Sequence, residues 1–252
     1  LLRNLFYNTI YRLNILRNDS IVVQQEWLRK KFREMTGHKN IIVAKPIIKR
    51  QVYLSDKVKS KKKYIFIYPT LARFHKNIEL LCEAVKLIDR NKYSEFEVKI
   101  TINGRENRYA RYIRKEYSNI REINFIGLQS RFKMNELYKE ANALIFPSKL
   151  ETWGLPISEA INYKLPIMLS NLDYSRETLG KYKNVSFFDH KNPKELSKQI
   201  VSFLENRWKK KKYNEVKIKS PYAKNWENLW KIVKSDFNKK NELLKKIKER
   251  SN

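Results

Sequence analysis

At 252 residues the chain has room for one large domain, or for one domain with part of another. Its 42% hydrophobic content supports a packed core and excludes wholesale disorder, and no run approaches the ~20 consecutive apolar residues that a bilayer span needs. A net charge of +29 points to an anionic partner: nucleic acid, an acidic membrane surface or a phosphorylated substrate. Most of the basic residues are lysines spread along helices, which is also the pattern of a generally basic surface.

The N-terminal stretch places Leu5, Phe6, Ile10, Leu13 and Leu16 at helical spacing, an amphipathic helix over residues 1–17. Arg3, Asn4, Asn8 and Arg12 interrupt it, and it has no cleavage-like end, so it does not read as a signal peptide. A strand over 19–23, a helix over 24–35 stopped by Gly37, and a strand over 40–44 ending at Pro46 follow. These elements are too few for a convincing core of their own.

The lysine-rich stretch 55–63 reads as a linker, after which strands and helices alternate. Strands are expected at 64–68, 96–102, 123–126, 143–146, 166–169 and 185–188, with helices at 78–88, 109–117, 134–141, from Pro156, 174–179 and 194–208. Nearly continuous apolar strands interleaved with helices predict an α/β, doubly wound, Rossmann-like parallel sheet. From Tyr222 to Phe237, residues Ala223, Trp226, Leu229, Trp230, Val233 and Phe237 mark a final amphipathic helix, whose two tryptophans read as core. The Lys- and Glu-rich residues 239–252 read as a fraying tail.

In such a sheet, ligands bind outside the carboxyl ends of the strands, which gathers the loops at 69–77, 103–108, 127–130 and 147–156 on one rim. Residues 143–160, ALIFPSKLETWGLPISEA, run from strand through loop to helix. With Pro156 at the start of that helix, the amides of Gly154, Leu155, Ile157, Ser158 and Glu159 would offer an anion site. Arg73 and Lys76, three residues apart in the first rim loop, would clamp a diphosphate from the other side. Glu151 and Glu159 admit a reading as a general acid/base pair. The helix dipole opposes it, because Glu159 near a helix N-terminus stays ionised and accepts sugar hydroxyls instead. Asn103-Gly104-Arg105 is a weak phosphate-loop signal. His38, His75 and His190 are scattered, with no metal-ligand spacing, and Cys82, the sole cysteine, sits in an apolar helical pattern and fits a reducing compartment.

The segments YPTLARFHKNIELL, ITINGRE, INFIGLQ, FFDHKNPKELSKQI and above all FPSKLETWGLPISEAINYKLPIMLS carry a resemblance. The chain resembles the C-terminal half of a retaining glycosyltransferase of the two-Rossmann-domain (GT-B) type, in the large family-4 class that builds bacterial polysaccharides, over roughly residues 19–238. Its Glu151 and Glu159 match the family's E-x7-E pair.

The resemblance implies that Arg73 and Lys76 contact the donor diphosphate. Glu151, the expected catalytic residue, would bind donor-sugar hydroxyls beside the backbone of Trp153, Gly154 and Leu155, and Glu159 would bind the nucleotide ribose. Asn103, Gly104, Gly127 and Leu128 would line the base. It implies no metal and no cofactor, a UDP- or GDP-linked sugar as substrate and a glycan or lipid-linked acceptor. The implied location is cytoplasmic, with peripheral contact to an anionic membrane compatible with the basic surface.

Residues 1–54 would be the remnant of an acceptor-side domain, 55–220 the donor domain, and 221–252 a helix crossing back to the first domain with a basic tail. On that view the chain, which begins at Leu1 rather than Met, is a donor-binding half that by itself binds nucleotide-sugar and transfers nothing. A nucleic-acid-binding module is the competing reading from charge, but the basic residues form no aromatic-interleaved stripe.

Overall fold

Each apolar run predicted as a strand forms one, and every strand pairing is parallel. The computed structural model describes residues 14–48, 63–93 and 95–251. The described residues of Leu1–Ile48 and Val216–Asn252 make one compact unit and those of Lys49–Glu215 another. The helix expected over 1–17 and the linker expected at 55–63 lie, but for their last residues, outside the described ones.

The first unit holds β1 (Ile21–Val23), α1 (Glu26–Thr36), β2 (Ile41–Ala44), β9 (Tyr222–Ala223) and α8 (Trp226–Ser251), with strand order β1-β2-β9. Alternation splits β2 between two small cores: Ile41 and Val43 pack with Val23, Leu28 and Phe32, and Ile42 packs with Ala223 and Leu229. Arg29 is almost wholly buried. It ion-pairs with Glu26 and donates to the carbonyls of Lys219 (2.5 Å), Pro221 (2.9 Å) and Ile41 (3.3 Å). A buried guanidinium needs such partners, and these draw the distant 219–221 segment onto the unit.

Two expectations for the C-terminal segment are corrected. Tyr222 and Ala223 are strand rather than helix, because they pair with Val43 and Ala44, so the helix starts at Trp226. Its buried side is Leu229 with Ile232 and Val233, whereas Trp226 and Trp230 are 69% and 61% exposed. Helix α8 continues to Ser251; Asp236 accepts from Asn40 (3.0 Å), and Lys240 in the tail ion-pairs with Asp19.

The second unit contains β3 (Tyr64–Tyr68), a 3-10 turn (Phe74–Lys76), α2 (Ile78–Lys86), β4 (Phe96–Ile100), α3 (Arg108–Tyr117), β5 (Ile123–Phe125) and α4 (Arg131–Glu140). It goes on through β6 (Ala143–Phe146), α5 (Leu155–Asn162), β7 (Ile167–Ser170), α6 (Asp173–Leu179), β8 (Val185–Phe188) and α7 (Pro193–Leu204). Every residue of β6, β7 and β8 is buried, so both faces of that half of the sheet are covered. Helix α7 stops short of the expected Trp208. Asn206 turns left-handed (φ 56°), and the Trp208 indole packs on Phe203 and donates to Ser186 Oγ (3.2 Å).

The strand order is β5-β4-β3-β6-β7-β8. The chain winds outward from β3 in one direction and, after one long crossover through α4, outward from β6 in the other. The order therefore reverses between β3 and β6, and sheets of this kind take ligands outside the carboxyl ends at such a reversal.

Candidate functional site

The two loops that leave this switch point are stitched together residue by residue. Beyond β3, the buried Tyr68 hydroxyl donates to the Lys76 carbonyl (2.6 Å) and holds the 3-10 turn. Asn77 then takes a left-handed conformation (φ 57°), which asparagine tolerates far better than most residues. Its buried amide donates to the carbonyls of Pro147 (3.1 Å) and His190 (2.9 Å), tying the loop after β3 to those after β6 and β8. Lys149 N donates to the His75 carbonyl (2.7 Å), and the Tyr174 hydroxyl to that of Ser148 (2.7 Å).

The product of this stitching is a direct ion pair: Lys76 Nζ lies 2.5 Å from Glu151 Oε1, with the two side chains 16% and 11% exposed. The ammonium also sits 5.9 Å from the centroid of the Phe146 ring. The two residues were predicted on one rim; their contact with each other was not. His75, beside them, has its pKa lowered by partial burial and then by Lys76, with Glu151 opposing and Arg73 adding a smaller push. Arg73, the other predicted cation, is exposed at the start of the turn and makes no ion pair among the described residues.

Past Glu151 the chain reaches Gly154 at φ 84°, ψ 62°, where a Cβ would approach Ile157 Cδ1 to 3.0 Å. Helix α5 starts at Leu155, one residue earlier than expected, with Pro156 in its first turn. The amide ring predicted here shrinks accordingly. Ile157 N donates to the Gly154 carbonyl (3.0 Å), and Ser158 and Glu159 lie beyond the orphan amides of the first turn. Gly154 and Leu155 keep amides without an acceptor among the described residues. The Trp153 indole turns inward to Ser158 Oγ (3.0 Å), and its carbonyl accepts from buried Thr178, which leaves Trp153 to shape the loop from beneath.

Glu159 also departs from expectation. No acidic residue stands in the first turn of α5, so its place is not set by the dipole. It is held instead by α4: Arg131 ion-pairs with Oε1 and the Tyr138 hydroxyl donates to Oε2 (2.7 Å). The remaining predicted residues form a third patch. Asn103 and Gly104 donate their amides to the Glu106 carboxylate (2.7 and 2.9 Å), so the chain's own anion fills that small nest. A Cβ at Gly127 (φ 71°) would meet the Asn103 side chain at 3.3 Å, and Leu128 is 79% exposed. Among the described residues no three His, Cys, Asp or Glu side chains come together as a metal site. Cys82 is buried, with its thiol pKa pushed up chiefly by that burial, as an inert thiol would be.

Against protein families, residues 32–220 match the model of glycosyl transferases group 1. The chain belongs to that family. Among solved structures it is similar to TarM (18% identity, TM-score 0.66), covering 79% of this chain and 39% of that one. It is similar also to the pneumococcal O-GlcNAc transferase GtfA in complex with UDP and GlcNAc (19% identity, TM-score 0.60; 80% and 41% covered). A third is the lipopolysaccharide outer core galactosyltransferase WaaB (14% identity, TM-score 0.59; 76% and 54% covered). At these identities the likeness is one of fold, the GT-B fold of this glycosyltransferase group. The chain spans less than two thirds of the length of each of these structures. No curated protein matches it in sequence.

Proposed function

We propose that this group 1 glycosyltransferase chain binds a nucleotide-diphosphate sugar on the carboxyl rim of its second unit and serves transfer of that sugar, with retention, to a glycan or lipid-linked acceptor. The observation that carries the reading is the Lys76–Glu151 pair, drawn from the two loops of the switch point, with the unengaged amides of Gly154 and Leu155 following in the same loop. In the transfer, the bond between the sugar's anomeric carbon and the diphosphate oxygen breaks, and its electron pair stays on the diphosphate. A bond from the acceptor hydroxyl to the same face of the carbon forms, and the hydroxyl proton passes to the departing diphosphate oxygen on that face. Lys76, Arg73 and the two amides offset the charge growing on the diphosphate. Glu151 accepts hydrogen bonds from sugar hydroxyls, and Glu159 from the ribose. UDP is bound in the GtfA structure, which favours UDP as the first donor nucleotide to try, with GDP as the alternative.

Calorimetric titration of UDP, UDP-sugars, GDP and GDP-sugars separates these roles. Lys76→Ala should weaken nucleotide and nucleotide-sugar alike by about tenfold or more, the cost of one charge-assisted hydrogen bond. Glu151→Ala should weaken the nucleotide-sugar and spare the free nucleotide. Unchanged affinity in both variants, with melting confirming that they fold, would sink the assignment.

A further inference from the structure

Glu159 has more partners than a surface carboxylate needs. Both donors to it come from α4, two turns apart on one face, and each takes a different oxygen: Arg131 at Oε1, Tyr138 at Oε2. Tyr138 is 1% exposed and its ring stacks on Tyr163 (centroids 5.2 Å, planes 14° apart), so the hydroxyl has almost no freedom to leave. Burial, reinforced by the Glu159 charge, raises the Tyr138 pKa well above its ordinary value, which keeps this group a donor. Arg131 opens α4 just after the Ser130 cap and stays 73% exposed, directly after the rim loop that carries Leu128.

An ionised carboxylate has about four acceptor positions. With one taken on each oxygen, one remains on each, and that pair suits two adjacent hydroxyls. We infer that Arg131 and Tyr138 are positioning residues for ribose recognition, clamping Glu159 by one oxygen each so that its free acceptor positions meet a vicinal diol. The inference rests on the donor-site reading above but extends it to residues that touch no ligand themselves. A carboxylate fixed at both oxygens loses little further freedom when the diol arrives, and this is how such a clamp raises affinity.

The test is discrimination between UDP and 2′-deoxy-UDP, with GDP and 2′-deoxy-GDP in parallel, measured calorimetrically on the wild type and three variants. The wild type should favour the ribose form by about tenfold, and Glu159→Ala should abolish the preference. Arg131→Ala and Tyr138→Phe should each reduce it about threefold or more while leaving affinity for inorganic pyrophosphate unchanged. Arg131 is exposed and Tyr138→Phe keeps the stacked ring, so neither change threatens the fold. If both variants keep the full preference that Glu159→Ala loses, the positioning role is wrong and the ribose reading survives. A preference absent from the wild type, or intact in Glu159→Ala, overturns the ribose reading and the inference with it.

Discussion

The contact between Lys76 and Glu151 sets the state of both before any ligand arrives. Each satisfies the other in a partly buried place where a lone charge would be costly, and under the proposed donor site each would be shared or released when phosphate and sugar enter. His75 next to them supplies a pH signature. Its pKa lies below the ordinary value of 6.5 through burial first and Lys76 second. The unfolded chain therefore binds the proton more readily, and the contribution of His75 to stability is full above about 6.5 and declines as pH falls below it. Denaturant unfolding of the wild type and His75→Gln at about pH 7.5 and about pH 5 should show the wild type losing stability relative to the variant at the lower pH. An equal difference at both would contradict the assignment. The rim positions of Lys76 and Glu151 were legible in the sequence, because strand ends and loops are. Arg131 was not, being one of 55 basic residues with no local mark.

At the scale of elements, Asn77 is the staple that brings three loops to one place. Asn77→Gly leaves the left-handed backbone comfortable and removes only the two hydrogen bonds to Pro147 and His190. It should lower stability by about 1–3 kcal/mol in urea unfolding, whereas a neutral result would mean the loops hold without it. Nothing local announced this role, since both partners lie more than sixty residues away in sequence. The same limit explains α8. Trp226, Trp230 and Phe237 share one stripe and Leu229, Ile232 and Val233 another, and periodicity cannot say which stripe meets the sheet; the packing against Ile42 and Ala223 decides it. Strand β9 escaped notice because two residues carry no period, and its place depends on β2 and the buried Arg29.

At the scale of the whole chain, alternating strands and helices made the doubly wound sheet legible, and the observed order reverses between β3 and β6. In space the first unit is assembled from both ends of the chain. We propose the carboxyl rim of the second unit as the donor site. Amide hydrogen exchange with and without saturating UDP or GDP tests it most directly. Protection should rise in the loops at 69–77, 127–131 and 147–156, including Gly154 and Leu155, while the amides of β1, β2 and α8 stay unchanged. Exchange that is unaltered in those three loops, or slowed only outside them, would contradict that assignment.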